Sequence, residues 1–215
     1  HRHVYELTQH LVEAGMECAG YWPVTTNQLV LEGFRKRFPH LPAVAERDRL
    51  LDDPSIQLIV TAAIPNERAA LAIDAMRRGK DVLADKPGIT TFADLAAVQA
   101  AVAETKRIFA VVFGERFQSP ASALARDLVR QGAIGRLVST TGMGPHRINR
   151  ATRPDWFWKP AQNGSIIVDI VSHQIDQFLH FSGASDATIV LSRAGNLAHP
   201  EHPGFQDFGE IVLSH

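Results

Sequence analysis

Four ionisable residues recur at steps of four, three and four in one stretch of the chain: Asp169, His173, Asp176 and His180, within Asn163 to Phe181. At helical pitch that spacing stacks their side chains over successive turns of one face. The residues around them (Ile166, Ile167, Val168, Ile170, Val171, Ile175, Phe178, Leu179) suit a helix largely shielded from water. Carboxylates and imidazoles are rarely buried without partners, because losing their hydration is costly. The stripe therefore faces either buried hydrogen-bonding partners or a cleft. In a cleft, Asp and His one turn apart suit acid–base work, since imidazole titrates near neutrality and a carboxylate can orient it.

A second candidate is Lys86, set between Asp85 and Pro87 at the end of a short apolar run, Asp81 to Ala84. The proline ring restricts the backbone before it, so this lysine is held on a turn rather than trailing in solvent. Pro65-Asn66 follows the β-branched run Gln57 to Ala63 in the same way. Ligands of an open parallel sheet bind beyond the carboxyl ends of its strands, which is where both segments fall.

The elements that must position these residues follow from periodicity. Helices are expected over Val4–Ala14, Leu29–Phe38, Asn66–Arg78, Thr91–Thr105 and Pro120–Gln131, with a further turn or two at Arg47–Leu51. Strands are expected at Met16–Trp22, Gln57–Ala63, Asp81–Ala84, Ile108–Phe113 and Leu137–Met143, and near Ala187–Arg193 and Phe208–Leu213. Strand and helix alternate up to Phe113 and not after it. The expected fold is thus α/β: a Rossmann-type parallel-sheet domain over 1–115, then an α+β domain with an open, mostly antiparallel sheet over 116–215. Inner faces are assigned to Ala69, Ala72, Ile73 and Met76, to Leu95, Val98 and Val102, and to Ala121, Leu124, Ala125 and Leu128.

Composition excludes several classes. A formal net charge of −1 across 215 residues gives no electrostatic case for nucleic acid or an anionic membrane as partner. Cys18 is the one cysteine, so no internal disulfide framework exists, in keeping with a reducing compartment and a cytoplasmic location. No apolar run reaches the roughly 18 residues of a membrane span. The ten histidines form no ligand-spaced cluster beyond the Asp169 helix, so no metal is assigned. Both ends read as cut, because the chain opens on a helix and stops inside a strand-like run.

The ordered set Pro65-Asn66, Gly79-Lys80-Asp81-Val82, Asp85-Lys86-Pro87, Phe113 to Phe117, Gly132-Ala133-Ile134-Gly135 and Asn163 to Asp176 resembles the Gfo/Idh/MocA oxidoreductases. The resemblance spans nearly the whole chain. It implies NAD or NADP as cofactor and a polyol, sugar or cyclitol as substrate. It also implies that Lys86, Asp169 and His173 line the catalytic pocket, with the helix of Asp169 and His173 as the floor of a cleft between the two domains and Lys86 facing it. Oxidising a secondary alcohol removes a hydroxyl proton while hydride leaves the carbon. His173 is assigned as proton acceptor, Lys86 as the group polarising the reacting oxygen, with Lys86 the alternative acceptor, and Asp169 as orienting group. Cofactor contacts are assigned to Arg2, His3, Pro65, Asn66, Asp85, Lys86 and Arg116. Substrate contacts are assigned to Lys86, Arg147, Trp156, Trp158, Asp169 and His173. Asp176 is assigned a structural role, binding backbone groups, and His180 that of a structural histidine or a partner of the helix C-terminus. Self-association is expected of the open sheet face.

Three departures from the family pattern stand out. His1-Arg2-His3 occupies the place of the last glycines of the phosphate-binding turn, and Tyr21 to Thr26 carries no ribose-reading carboxylate. The acid of the Glu-Lys-Pro motif is Asp85, and Arg68 stands where many members carry His. A non-catalytic relative that binds a small ligand or partner subunit is the alternative reading. Metal-dependent hydrolysis or lysis is a third.

Overall fold

The computed structural model describes residues 2–25 and 27–215 and divides into two units, His1–Val111 and Val112–His215. His1 and Thr26, named above in the phosphate-turn and ribose-acid readings, lie outside the described residues.

In the first unit, helices α1 (Val4–Glu13), α2 (Gln28–Arg37) and the short α3 (Asp48–Leu51) precede strand β1 (Leu58–Thr61). A 3₁₀ turn, Pro65–Glu67, leads into α4 (Arg68–Arg77). Strand β2 (Asp81–Asp85), α5 (Phe92–Thr105) and β3 (Phe109–Val112) follow. The Rossmann-like sheet has the order β1-β2-β3, with β1 and β2 parallel and Leu58 opposite Asp81. The core is an alanine seam: Ala69, Ala72, Ala75 and Met76 of α4 meet Val82 of β2 and Val98 and Ala101 of α5. Small residues let helix and strand approach closely, and Thr91 caps α5 by accepting from Asp94 N at 3.0 Å. A second cluster joins Phe34, Phe38 and Leu41 to Tyr5, Cys18 and Tyr21.

Two strand expectations fail. Met16–Trp22 is not a strand, and its ladder among the described residues is a single bridge, Tyr21 to Ala43. Leu137–Met143 is irregular too, with Val138 and Met143 both 83% exposed. A strand satisfies its backbone groups only where a partner runs alongside, and among the described residues the Met16–Trp22 run finds one only at Tyr21, which bonds Pro42 O and Val44 N. Leu95, Leu124 and Leu128, assigned to inner faces, are exposed, and Ala101 takes the core position on α5.

The second unit holds α6 (Gly114–Phe117), α7 (Pro120–Arg130), α8 (Pro160–Asn163), a π-helical segment (Ile167–Val171), α9 (Ser172–Ser182) and the antiparallel pair β4 (Thr188–Gly195) and β5 (Phe208–Ser214). The Asn163–Phe181 stretch is thus not one regular helix. Gly164 and Ser165 take left-handed φ of 88° and 72°, and five residues then wind with the wider π repeat. Consecutive Ile and Val crowd an α-turn at χ1, which favours such a local widening. Asp169 lies in the π segment, whereas His173, Asp176 and His180 lie on α9. The four do not form one straight stripe, and most of the stretch is half-buried, with His173 buried at 4% exposure.

Candidate functional site

The first group of candidate residues gathers at the carboxyl ends of β1 and β2. Lys86 is 6% exposed, directly after β2. Its turn is held from below by Arg68, the first residue of α4, itself 1% exposed. Arg68 Nη1 donates to Asp85 O (2.7 Å) and Pro87 O (2.9 Å), and Nη2 donates to Asp85 Oδ2 (3.1 Å). Its Nε donates to Ala63 O at 2.8 Å, in the loop after β1. His3 Nδ1 reaches the other Asp85 oxygen at 2.8 Å. Burial raises the Asp85 pKa, but the His3 hydrogen bond and the charges of Arg68, His3 and Lys86 outweigh it. The carboxyl is therefore held below its ordinary range and stays ionised. Gly88 completes the turn: a Cβ there would stand 2.5 Å from Val111 Cγ2 and 3.2 Å from Phe109 Cζ, so only glycine lets the turn lie against β3.

Of the assigned cofactor residues, His3, Asp85 and Lys86 thus share one neighbourhood, with His3 and Asp85 paired to each other. Pro65 is buried at the start of the 3₁₀ turn and Asn66 beside it is exposed. Arg2 is exposed ahead of α1. Lys80, of the Gly79-Lys80-Asp81-Val82 motif, is a scaffold: buried, it donates to Asp53 O and Ile56 O at 2.5 and 2.8 Å.

The second group lies in the second unit around α9. The His173 ring meets Phe113 edge-on at 6.0 Å between centroids, and His146 lies nearly parallel to it at 6.3 Å. His146 Nδ1 donates to Gly144 O at 2.9 Å, while its Nε2 stands 3.5 Å from Glu115 Oε1. Glu115 also accepts from Gln174 Nε2 at 3.3 Å. Neither His146 nor Glu115 was singled out from sequence, since a lone histidine in an irregular run carries no periodic signal. Arg116, assigned to cofactor, makes a bidentate pair with Asp176 at 2.5 and 2.8 Å. Asp176, expected to bind backbone groups, pairs with this side chain instead. Burial, then the Arg116 and Arg126 charges, push His180 below its ordinary pKa.

The third group is the Trp-rich segment. Trp158 stacks on His202 (4.0 Å, 13°) and packs against Phe205. Trp156 meets Phe157 edge-on. Asn163, buried, donates from Nδ2 to Phe157 O at 2.5 Å and accepts from Ser165 N at 2.6 Å, which explains the Asn-Gly-Ser turn. Arg153, not Arg147, organises the loop: it donates to Ile148 O and Arg147 O and lies over the Phe157 ring. Arg147 itself is exposed.

Two models of one family match this chain. "Oxidoreductase family, NAD-binding Rossmann fold" covers residues 24–113, and "GFO/IDH/MocA C-terminal domain" covers residues 122–215. The chain belongs to the Gfo/Idh/MocA oxidoreductase family. Levoglucosan dehydrogenase of Pseudarthrobacter phenanthrenivorans is 30% identical over 156 residues, covering 71% of this chain and 40% of the relative. The NAD(+)-dependent scyllo-inositol 2-dehydrogenase of Bacillus subtilis is 25% identical over 162 residues, covering 75% and 44%. A crystal structure of an oxidoreductase from Erwinia carotovora atroseptica superposes with a TM-score of 0.94 at 44% identity, over 99% of this chain and 63% of that one. The chain thus spans less than half the length of either curated relative. The Rossmann-like first unit and the expected nicotinamide cofactor, NAD or NADP, are those of the Gfo/Idh/MocA family. Among the described residues no helix is long and apolar enough to cross a membrane, and no group of three or more metal-ligating side chains occurs.

Proposed function

We propose that the protein is a nicotinamide-dependent oxidoreductase acting on a secondary alcohol of a sugar, cyclitol or related polyol. The observation that carries this reading is Lys86, a buried lysine fixed at the carboxyl end of a strand in an NAD-binding Rossmann unit. The residues present fit the cofactor. The exposed Asn66 amide beyond β1 and the Lys86 ammonium beyond β2 are donors suited to its polar groups, and Arg2 adds positive charge ahead of α1. A bound nicotinamide accepts or returns the hydride of the alcohol carbon. Lys86 hydrogen-bonds the reacting oxygen and offsets the negative charge that develops there. His173, buried and braced by Phe113 and His146, takes the hydroxyl proton, and Asp169 orients the substrate or the imidazole. The named activities of the levoglucosan and inositol relatives support a polyhydroxylated substrate.

Titration of the full-length protein with NAD(H) and NADP(H), followed by tryptophan fluorescence, tests the cofactor. Turnover is then assayed with levoglucosan, inositols and aldoses. Lys86→Ala and His173→Ala are each expected to lower kcat by about 10²–10⁴-fold, with cofactor affinity within a few-fold of wild type in His173→Ala. No binding of either nicotinamide would refute the enzyme reading, and full turnover in both variants would refute these roles.

A further inference from the structure

We propose that Arg68 is a positioning residue whose guanidinium sets the spacing between the loop after β1 and the turn that carries Lys86. The inference rests on the oxidoreductase reading for its catalytic consequence, but not for its geometry. Pairing with the Asp85 carboxylate would take one contact, the Nη2 bond to Oδ2 at 3.1 Å, and the other carboxylate oxygen already has His3 Nδ1 at 2.8 Å. Beside its one bond to the Asp85 carboxylate, Arg68 donates to three backbone carbonyls: Ala63 O at 2.8 Å, Asp85 O at 2.7 Å and Pro87 O at 2.9 Å. Asp85 and Pro87 flank Lys86 in the chain, so their carbonyls define where the Lys86 Cα stands. Ala63 belongs to the loop that ends in Pro65-Asn66. One rigid, planar side chain therefore spans the two loops that would meet cofactor and substrate. A guanidinium does this because its donors diverge in a fixed fork, whereas an ammonium concentrates its donors on one atom. With Arg68 at 1% exposure, the guanidinium itself is shielded from solvent.

Arg68→Lys keeps the positive charge beside Asp85 and loses the fork. Hydrogen–deuterium exchange of the cofactor-free, full-length protein is the primary readout. In Arg68→Lys, amides of 62–67 and 85–90 are expected to exchange together, at least about 10-fold faster than wild type. Arg77→Gln, on the exposed end of the same helix, is the control and leaves both segments unchanged. In turnover, Arg68→Lys is expected to lower kcat roughly 10–100-fold with KM within about 3-fold, as a displaced catalytic group does. Wild-type exchange in Arg68→Lys, or acceleration in only one segment, would overturn the proposal, as would an unchanged kcat in an active enzyme. If the wild type turns over none of the substrates, the exchange arm still decides the positioning role while the oxidoreductase reading fails separately. Should Arg68→Lys not fold, native-state exchange of the wild type in rising urea replaces it. The two segments must then open as one unit with one urea dependence, and separate openings would sink the idea.

Discussion

The two units hold their chemistry-bearing residues by different means. In the first, an alanine-rich helix lies flush on the sheet, and Ala72, Ala75, Ala84 and Ala101 are fully buried. Lys86 is placed by backbone: it ends a strand, and the carbonyls beside it are gripped by a buried guanidinium. In the second, Phe157 and Phe205 are the buried apolar residues among those described, and the order comes from side-chain clamps. Arg116 holds Asp176, Trp158 lies on His202, and His146 lies beside His173. Backbone placement on a packed core resists local opening, whereas clamps at a half-exposed surface open one at a time. Variants that remove one clamp from each unit should therefore differ in both size and reach.

The largest effect is expected from Arg68→Met. It removes the buried guanidinium that bonds the Asp85 carboxylate and three carbonyls, and removing one partner of a buried ion pair costs about 3–5 kcal/mol. Urea denaturation measures the loss, which should appear across the whole first unit. Its pH dependence has a defined sign. Asp85 is held below its ordinary range in the fold, so on acidification the unfolded chain takes up the proton first. The stabilisation is complete above the ordinary carboxylate range and is lost as pH falls through the lowered Asp85 value. Stability curves between about pH 7 and pH 3 should fall more shallowly in Arg68→Met than in wild type, since its charge is one cause of the lowering.

Arg116→Met sharpens the contrast. The Arg116–Asp176 pair is partly accessible, at 21% and 14% side-chain exposure, and its two charge-assisted bonds are worth about 1.5–3 kcal/mol together. The effect should stay local: faster amide exchange in 114–118 and 172–182, with first-unit segments unchanged. Acceleration throughout 112–215 would show that the second unit opens as a whole and would remove the distinction.

The same contrast decided what could be read from sequence. Unit one was legible because 3.6- and 2-residue periods report core contacts, so α4, β2 and the position of Lys86 were placed to within a residue or two. The core role of Ala101 was hidden by Leu95, a larger residue on a neighbouring turn that the fold leaves exposed. The work of Arg68 was illegible, since its partners are carbonyls of Ala63, Asp85 and Pro87, which no residue type announces. In unit two the periodic stripe overreached. The Asp169–His180 spacing fits an α-helix, but the Ile167–Val171 run winds as π, and the spacing of the charged residues does not report that switch. Met16–Trp22 and Leu137–Met143 failed for another reason: a strand is a pairing, and composition cannot supply the partner.

Two glycines give the smallest and most direct comparison, because both mark a close approach. At Gly88 an added methyl would meet Val111 Cγ2 at 2.5 Å and Phe109 Cζ at 3.2 Å, on a strand of the sheet. Val111 is β-branched and stiff, so it cannot swing aside, and Gly88→Ala should cost about 1–3 kcal/mol. At Gly144 the added methyl would meet the tip of Gln174, with Nε2 at 2.8 Å and Oε1 at 2.9 Å. A half-buried glutamine can re-aim its amide by a rotamer change, so Gly144→Ala should cost no more than about 0.5 kcal/mol, as for ordinary surface changes. What moves instead is the Gln174 bond to Glu115, and with it the carboxylate beside His146. The chemical shifts of the His146 and His173 ring protons should therefore change in Gly144→Ala while the melting temperature does not. Equal melting temperatures for the two variants would show that neither approach is tight, and that the first unit is no more rigid at its turn than the second is at its clamp.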